Sequence, residues 1–229
     1  MNDPRSSGAR ARALLGCVLL AACSEAAPER PSDGAAGAAG LGAPYASSVE
    51  SFEAGEGNGF GVDALPDVVL GPPRGKGNAA GSLDVLSLGT SGEIVLGFGQ
   101  RVIHDGPGAD FVVFENAFWP GGDASKVFAE LGEVAVSEDG TAWTPFPCDT
   151  EGDGNGNFPG CAGVTPTLEY DAEQVVPLDP RLTGGDAFDL ADVGVALARY
   201  VRVRDLATLP PAGETSGFDL DAVGAVDWD

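Results

Sequence analysis

The feature that most constrains the fold is a series of short apolar runs, each ended by a turn rich in Gly, Pro or Asp. The runs Asp84–Leu88 and Glu93–Phe98 are separated by Gly-Thr-Ser-Gly, a spacing that predicts a hairpin. The most regular alternation lies in Ala198–Asp205, where Val201 and Val203 are interleaved with Tyr and Arg. Because the chain also has 35 Gly, 17 Pro and little that resembles a long amphipathic helix, we predict an all-β fold, an antiparallel β-sandwich.

A second strand–turn–strand unit is predicted over Val134–Phe146. Its Asp139-Gly140 pair is a strong hairpin turn signal, and Trp143 begins the returning strand. A lone aromatic residue after a hairpin usually packs, so Trp143 and Phe146 are expected in the core.

The N-terminal segment has the composition of an export signal. Arg5, Arg10 and Arg12 precede the apolar run Ala13–Ala22, which is far shorter than the roughly 20 residues that a membrane-spanning helix needs. Residues 1–22 are therefore interpreted as a signal peptide and excluded from the fold.

The end of that segment, Leu20-Ala21-Ala22-Cys23, resembles the lipobox of bacterial lipoproteins. The resemblance implies cleavage before Cys23, a lipid anchor on its sulfur and, because Ser24 follows, sorting to the outer membrane or cell surface. An ordinary signal peptide remains the alternative.

The next segment, residues 23–44, is rich in Ala, Gly and Pro and lacks a core-forming pattern. It is predicted to be a disordered linker that lifts a single domain, residues 45–229, away from the membrane.

The strong acidity of the chain bears on its partners. A net charge of −23 repels nucleic acid and anionic headgroups, since binding to either relies on basic residues that neutralise phosphates. The same charge favours divalent cations, and it also serves to keep a surface soluble.

The stretch His104–Phe118 concentrates oxygen ligands between Gly-Pro turns. The predicted calcium ligands there are Asp105, Asp110, Glu115 and Asn116. Calcium takes six to eight oxygens, so further ligands are needed. We assign Asp219 and Asp221 of the last strand, on the premise that both carboxylates point outward; an acidic edge strand is the alternative.

Two other features complete the site predictions. Phe118 and Trp119 lie in a Phe-Trp-Pro-Gly-Gly loop and are the candidate ligand-binding aromatics. Cys148 and Cys161 are the only cysteines after Cys23, and in an exported protein they are predicted to form a disulfide. The acidic loop between them matches only the first half of a calcium loop, so a solvated Gly-rich loop is favoured.

The segments Val134–Phe146 and Ala198–Asp205 together resemble the strand pair of discoidin, or coagulation-factor type C, domains. That resemblance implies the galactose-binding-like jelly-roll sandwich and a structural calcium near one edge. This chain departs from the discoidin pattern in two respects. Its predicted disulfide is internal, whereas that of discoidin domains links the two ends of the domain. Its loops are acidic and Gly-rich, whereas discoidin loop tips carry basic and aromatic residues. A wider set of motifs resembles bacterial cell-surface proteins of unassigned role. These motifs are DGPGADFVVFENAF, VAVSEDGTAW, FDLADVG, ARYVRVRD and GFDLDAV.

Three functions are compatible with these patterns. The favoured one is a non-catalytic, calcium-stabilised surface module that binds glycan, matrix or a protein partner. The second is a glycoside hydrolase that uses two of Asp105, Asp110 and Glu115. The sequence lacks a Gly-x-Ser-x-Gly elbow and a His-Glu-x-x-His motif, and its single histidine is His104, so we predict no enzyme. The third is a purely structural envelope component.

Overall fold

The computed structural model describes residues 44–168, 178–210 and 213–229. The predicted signal peptide, the lipidation site Cys23 and nearly all of the linker lie outside the described residues. The described residues belong to one compact unit.

The regular secondary structure of the described part of the chain consists mainly of short strands joined by turns and irregular segments. Their bounds are β1 Ser48–Glu53, β2 Leu86–Ser87, β3 Glu93–Gly97, β4 Ile103–His104, β5 Phe111–Glu115, β6 Gly132–Ser137, β7 Thr144–Pro145, β8 Asp186–Phe188, β9 Leu197–Ala198, β10 Tyr200–Asp205 and β11 Asp219–Ala225. A four-residue helix, α1, covers Pro180–Thr183, and 3-10 turns cover Val62–Ala64, Asp67–Val69, Pro120–Gly122, Ala124–Lys126 and Leu190–Val193.

The strands form two larger sheets and one small pair. The first sheet has the order β1-β3-β10-β6-β7 and the second the order β2-β11-β5-β8, while β4 pairs with β9. Each of these strand pairings is antiparallel. The prediction of an all-β, antiparallel fold is confirmed.

The core lies between the two larger sheets. In β10, Val201 and Val203 are fully buried and pack with β5 residues Phe111 and Val113 in one cluster. Arg202 of β10, on the opposite face, is only partly buried. The alternation read from the sequence therefore separates the inner face of this sheet from its outer face.

The predicted hairpin between Asp84–Leu88 and Glu93–Phe98 is wrong. The turn between the two runs exists, since Gly92 N–H donates to Gly89 O at 2.8 Å. However, β2 pairs with β11 in the second sheet, whereas β3 pairs with β1 and β10 in the first. The connection crosses from one sheet to the other because both runs bury their apolar residues in the shared core.

The expectation that the last strand carries two exposed carboxylates, or is an acidic edge strand, is also wrong. β11 lies inside its sheet, between β2 and β5, and all seven of its residues are buried. The outer face of this sheet is covered by Tyr45 and Leu178, which pack on Phe114 and Ala222. Asp219 and Asp221 are consequently buried rather than exposed.

The hairpin predicted over Val134–Phe146 is present as β6 and β7. Gly140 has a φ of 73°, a left-handed conformation that glycine adopts without steric cost. Phe146 is buried as expected, whereas Trp143 is only half-buried and lies over the Arg202 guanidinium, 4.9 Å from ring centroid to Cζ.

The predicted disulfide between Cys148 and Cys161 is confirmed. Within the loop that it closes, Asp149 accepts from the N–H of Glu151, and Asp153 accepts from the N–H of Asn155. These are local turns in an exposed segment, as expected of a solvated loop.

Candidate functional site

The chemistry-bearing residues gather at the two ends of strand β5. At its start, Asp105, Asp110 and Asp189 form an acidic triad in which one carboxylate oxygen from each residue lies within 4.8 Å of the other two. Asp105 is exposed, Asp189 is half-buried and Asp110 is fully buried. We call this set the β5 triad.

Backbone donors fix the buried member of the β5 triad. Asp110 Oδ1 accepts from the N–H of Gly106 at 2.8 Å, and its Oδ2 accepts from the N–H of Leu190 at 2.7 Å. Gly106 lies close to the Asp227 side chain, whose carboxylate would have to move to accommodate a Cβ at position 106. Burial raises the pKa of Asp110, the two N–H groups lower it, and Asp189 and Asp105 raise it further.

The β5 triad has a donor set that suits calcium. Two oxygens bound to one calcium ion lie at most about 5 Å apart, given calcium–oxygen distances of about 2.3–2.6 Å. The 4.8 Å spread of the β5 triad meets that limit. Each carboxylate has about four lone-pair positions, so Asp110 keeps acceptor capacity beyond its two backbone donors.

At the other end of β5, the carboxyl group of Glu115 is buried. Its side chain is 1% exposed, and neither carboxylate oxygen has a hydrogen-bond partner within the described residues. Burial raises the pKa of Glu115 well above its ordinary value, and the carboxylates of Asp219, Glu130 and Asp186 raise it further. The N–H of Ala117 opposes this only weakly, because it does not make a hydrogen bond of normal geometry.

Next to Glu115, a polar network fixes Asp219. The Asn116 amide donates to Asp219 Oδ2 at 2.9 Å, and the Ser87 hydroxyl donates to Asp219 Oδ1. Burial raises the pKa of Asp219 to about 6 despite these two donors. Asn116 and Asp219 meet because β5 and β11 are neighbours, with Glu115 paired to Leu220.

The Asn116–Asp219 pair lines a surface cleft of about 420 Å³, which we call the acidic cleft. Asn116, Asp219 and Glu130 lie in it. Glu130 is 7% exposed, and its pKa is raised to about 8 by burial first and then by the carboxylates of Asp219 and Asp205.

The walls of the acidic cleft are apolar. Phe118 and Phe128 stack with ring centroids 5.2 Å apart and are tied together by the Phe128 N–H donating to Phe118 O at 2.9 Å. Leu83 is 74% exposed, Phe128 41% and Leu209 39%, and all three line the cleft. Among the described residues, the one other large exposed apolar side chain is Leu182.

The predicted calcium ligands do not form one cluster. Asp105 and Asp110 lie at the start of β5, whereas Glu115, Asn116 and Asp219 lie at its end.

Asp221 is separate from both groups. Its two oxygens accept from the backbone N–H of Arg74, at 3.0 and 2.9 Å, and burial raises its pKa to about 7. It anchors a loop.

The two predicted binding aromatics also separate. Phe118 lines the acidic cleft, whereas Trp119 does not. Trp119 is half-buried, and its backbone N–H donates to Asn78 O at 2.8 Å. Adjacent residues in an extended segment point in opposite directions, which explains why only one of the pair reaches the cleft.

Sequence reasoning missed the apolar cleft residues Leu83, Phe128 and Leu209 and two acidic members of these sites. Asp189 caps the 3-10 turn Leu190–Val193 by accepting from the Ala191 N–H at 2.9 Å, a role that Asp-Leu-Ala-Asp at a turn could have signalled. Glu130 lies between apolar residues, and an acid inside an apolar run is a signal of burial. Neither signal indicates the partners, which come from distant parts of the chain.

Comparison with protein-family models gave no match, and comparison with curated proteins likewise identified no relative of this chain. In the described part of the chain, none of the helices has the length and apolar character to cross a membrane.

Proposed function

We propose that this chain is a lipid-anchored bacterial surface protein whose domain is a non-catalytic binding module. The domain has the galactose-binding-like jelly-roll arrangement, and it binds glycan, matrix or a protein partner in the acidic cleft. The export-signal composition, Cys23 and the antiparallel two-sheet architecture support this assignment.

The observation that carries the proposal is the convergence of exposed apolar side chains on one concave site. Three of the four large exposed apolar residues in the described part of the chain line the acidic cleft. Contiguous exposed apolar surface bordered by polar groups is typical of interaction sites. Asn116 and Asp219, held by mutual hydrogen bonding, supply directional groups at its floor.

Calcium has a structural role in this proposal, at the β5 triad. The bound ion would join the loop at Asp105 to the turn that begins at Asp189, and it would offset three mutually repelling carboxylates. A ligand that binds only the folded state stabilises it by about 2.7 kcal/mol at 100 times its dissociation constant. Millimolar calcium should therefore raise the melting temperature by about 5–10 °C relative to EDTA. An unchanged melting temperature refutes the calcium part.

The binding proposal is tested by variants of the cleft walls. Leu83→Ser and Phe128→Ser should each abolish capture of ligands on a glycan array and from outer-membrane extract. Leu182→Ser is the matched control, since it removes an exposed apolar side chain outside the cleft. Equal loss in all three variants, or in none, contradicts the assignment of the cleft.

One observation favours glycoside hydrolysis as a second candidate. Glu130, with a pKa raised to about 8, lies in the same cleft as Asp219, with a pKa of about 6, and such a pair can divide the acid and base roles. Glu115, expected from the sequence as a member of the pair, is too buried to contact a sugar. Turnover of chromogenic glycosides that Glu130→Gln abolishes would establish the enzyme and overturn the non-catalytic proposal.

A further inference from the structure

The acidic cleft contains carboxyl groups without a basic partner. Within the described residues, its lining includes Glu130 and Asp219 but no Lys, Arg or His. The ion pairs found in the described ranges also leave out Glu115, Glu130 and Asp219. Elsewhere on the surface, acids do find cations, as in the pair between Arg204 and Glu133 at 3.0 Å.

A buried carboxyl behind the cleft adds a second, independent observation. Within the described residues, neither oxygen of Glu115 has a hydrogen-bond partner, and the group interacts electrostatically with both Asp219 and Glu130. A buried charge without a partner is strongly unfavourable, so the group needs either a proton or a nearby cation. Burial raises the pKa of all three groups, and neighbouring carboxylates raise the pKa of Glu115 and Glu130 further.

The walls determine what kind of cation fits. Stacked Phe118 and Phe128 offer aromatic surface, which attracts ammonium groups and packs against aliphatic chains. The volume of about 420 Å³ accommodates one side chain with its neighbours and is too small for a folded domain. Leu83, at 74% exposure, extends apolar surface out to the rim, where a small amine would leave it uncovered.

We infer that the acidic cleft binds a lysine side chain presented by a polypeptide, with its ammonium group against Glu130 and Asp219 and flanking apolar residues against Leu83 and Leu209. This inference rests on the proposed binding function of the cleft and names the ligand class. The formal net charge of −23 adds long-range attraction for a basic segment.

The experiment uses an array of synthetic hexapeptides with a fixed central lysine and randomised neighbours, probed with the full mature chain. Parallel arrays carry acetyl-lysine or norleucine at the centre. The expected result is enrichment of lysine peptides with apolar neighbours, and at least a tenfold weaker binding of the best sequences when the centre is acetyl-lysine or norleucine. Raising the salt concentration should weaken the lysine peptides selectively.

Two variants locate the ammonium group. Glu130→Gln and Glu115→Gln should each weaken the selected lysine peptide about tenfold, while binding of the norleucine peptide stays constant. Both variants mimic the protonated acid in shape, so folding should persist, and circular dichroism checks it. Glu138→Gln is the matched control, because it removes one negative charge from an exposed residue at the opposite end of β6.

Each alternative outcome overturns the inference in a recognisable way. Equal binding of norleucine peptides means that the cleft binds peptides through apolar contacts alone, without recognising the ammonium group. Displacement by n-butylamine at the peptide's own concentration means that a small amine is the ligand, and displacement by millimolar calcium means that the cleft holds a metal. Failure to enrich lysine, together with a glycan that needs Phe128, rejects the lysine assignment but retains the binding proposal. Absence of any Phe128-dependent ligand rejects both.

Discussion

The two ends of β5 hold the same kind of side chain in opposite circumstances. At the start of the strand, Asp110 is buried but accepts hydrogen bonds from two backbone N–H groups. At the end, Glu115 is equally buried and accepts none of normal geometry. The comparison shows that burial alone does not define the role of an acid. The donors around it determine whether the carboxylate joins segments of the fold or stays buried without a hydrogen bond to offset the loss of water.

Other buried acids of the domain follow the Asp110 pattern. Asp205 accepts from the backbone N–H groups of Ser91, Ala207 and Phe218, and Asp186 accepts from three consecutive N–H groups that begin at Gly163. In each case the carboxylate joins segments that are distant in sequence. Glu115 departs from this pattern, because neither of its buried carboxylate oxygens has a hydrogen-bond partner within the described residues.

The largest expected effect is that of pH on stability in EDTA. Burial raises the folded-state pKa of Asp186 and Asp219 to about 6, of Asp221 to about 7 and of Glu130 to about 8. The folded state thus holds protons that the unfolded state releases near pH 4, so this stability is complete below about pH 4 and is lost as pH rises through 6 to 8.

We expect the free energy of unfolding in urea to fall between pH 5 and pH 8.5, by about 1.4 kcal/mol for each pH unit over which one of these carboxyl groups is protonated only in the folded state. Glu130→Gln should flatten the upper part of that decline. A stability that rises over the same interval contradicts the account of the buried acids.

A smaller loss of stability is expected on removing Asp110, the buried acid that accepts two backbone hydrogen bonds. Asp110→Ala leaves the N–H groups of Gly106 and Leu190 without their acceptor and should lower the free energy of unfolding by about 3 kcal/mol. Asp105→Ala is the matched control in the β5 triad, where an exposed side chain should cost less than about 0.5 kcal/mol. Equal costs for the two variants would mean that burial and backbone donors do not distinguish them.

Replacement of Glu115 is expected to change the free energy of unfolding in the opposite direction. Glu115→Met replaces a buried carboxyl without a partner by an apolar side chain of similar length, and it should raise the free energy of unfolding by about 2 kcal/mol. Urea unfolding in EDTA at pH 7 measures the change. Destabilisation by Met would indicate that Glu115 has a structural partner, which would remove the contrast with Asp110.

Local patterns were sufficient for part of the fold. The alternation in β10 and the Asp139-Gly140 turn of the β6–β7 hairpin are properties of adjacent residues, and both were predicted from the sequence. The pairing of β2 and β3 was not, because a Gly-containing turn can connect two strands of one sheet or two sheets of one core. That choice depends on contacts with β1, β10 and β11.

The sites show the same division between local and distant information. Asp105, Asp110, Glu115 and Asn116 were recognised as a concentration of oxygen ligands, but alternation along β5 cannot reveal that its two ends serve different sites. Asp189 comes from a turn far along the chain. The exposure expected for Asp219 was wrong because other segments cover the outer face of β11, which the sequence of a single strand does not disclose.

The central claim is that the two ends of β5 are different kinds of site, a calcium site at the β5 triad and a ligand cleft at Asp219. Isothermal titration with calcium in the wild type, Asp189→Asn and Asp219→Asn tests it directly. The account predicts one equivalent of calcium in the wild type and in Asp219→Asn, and none in Asp189→Asn. Retention of calcium in Asp189→Asn together with its loss in Asp219→Asn would contradict it.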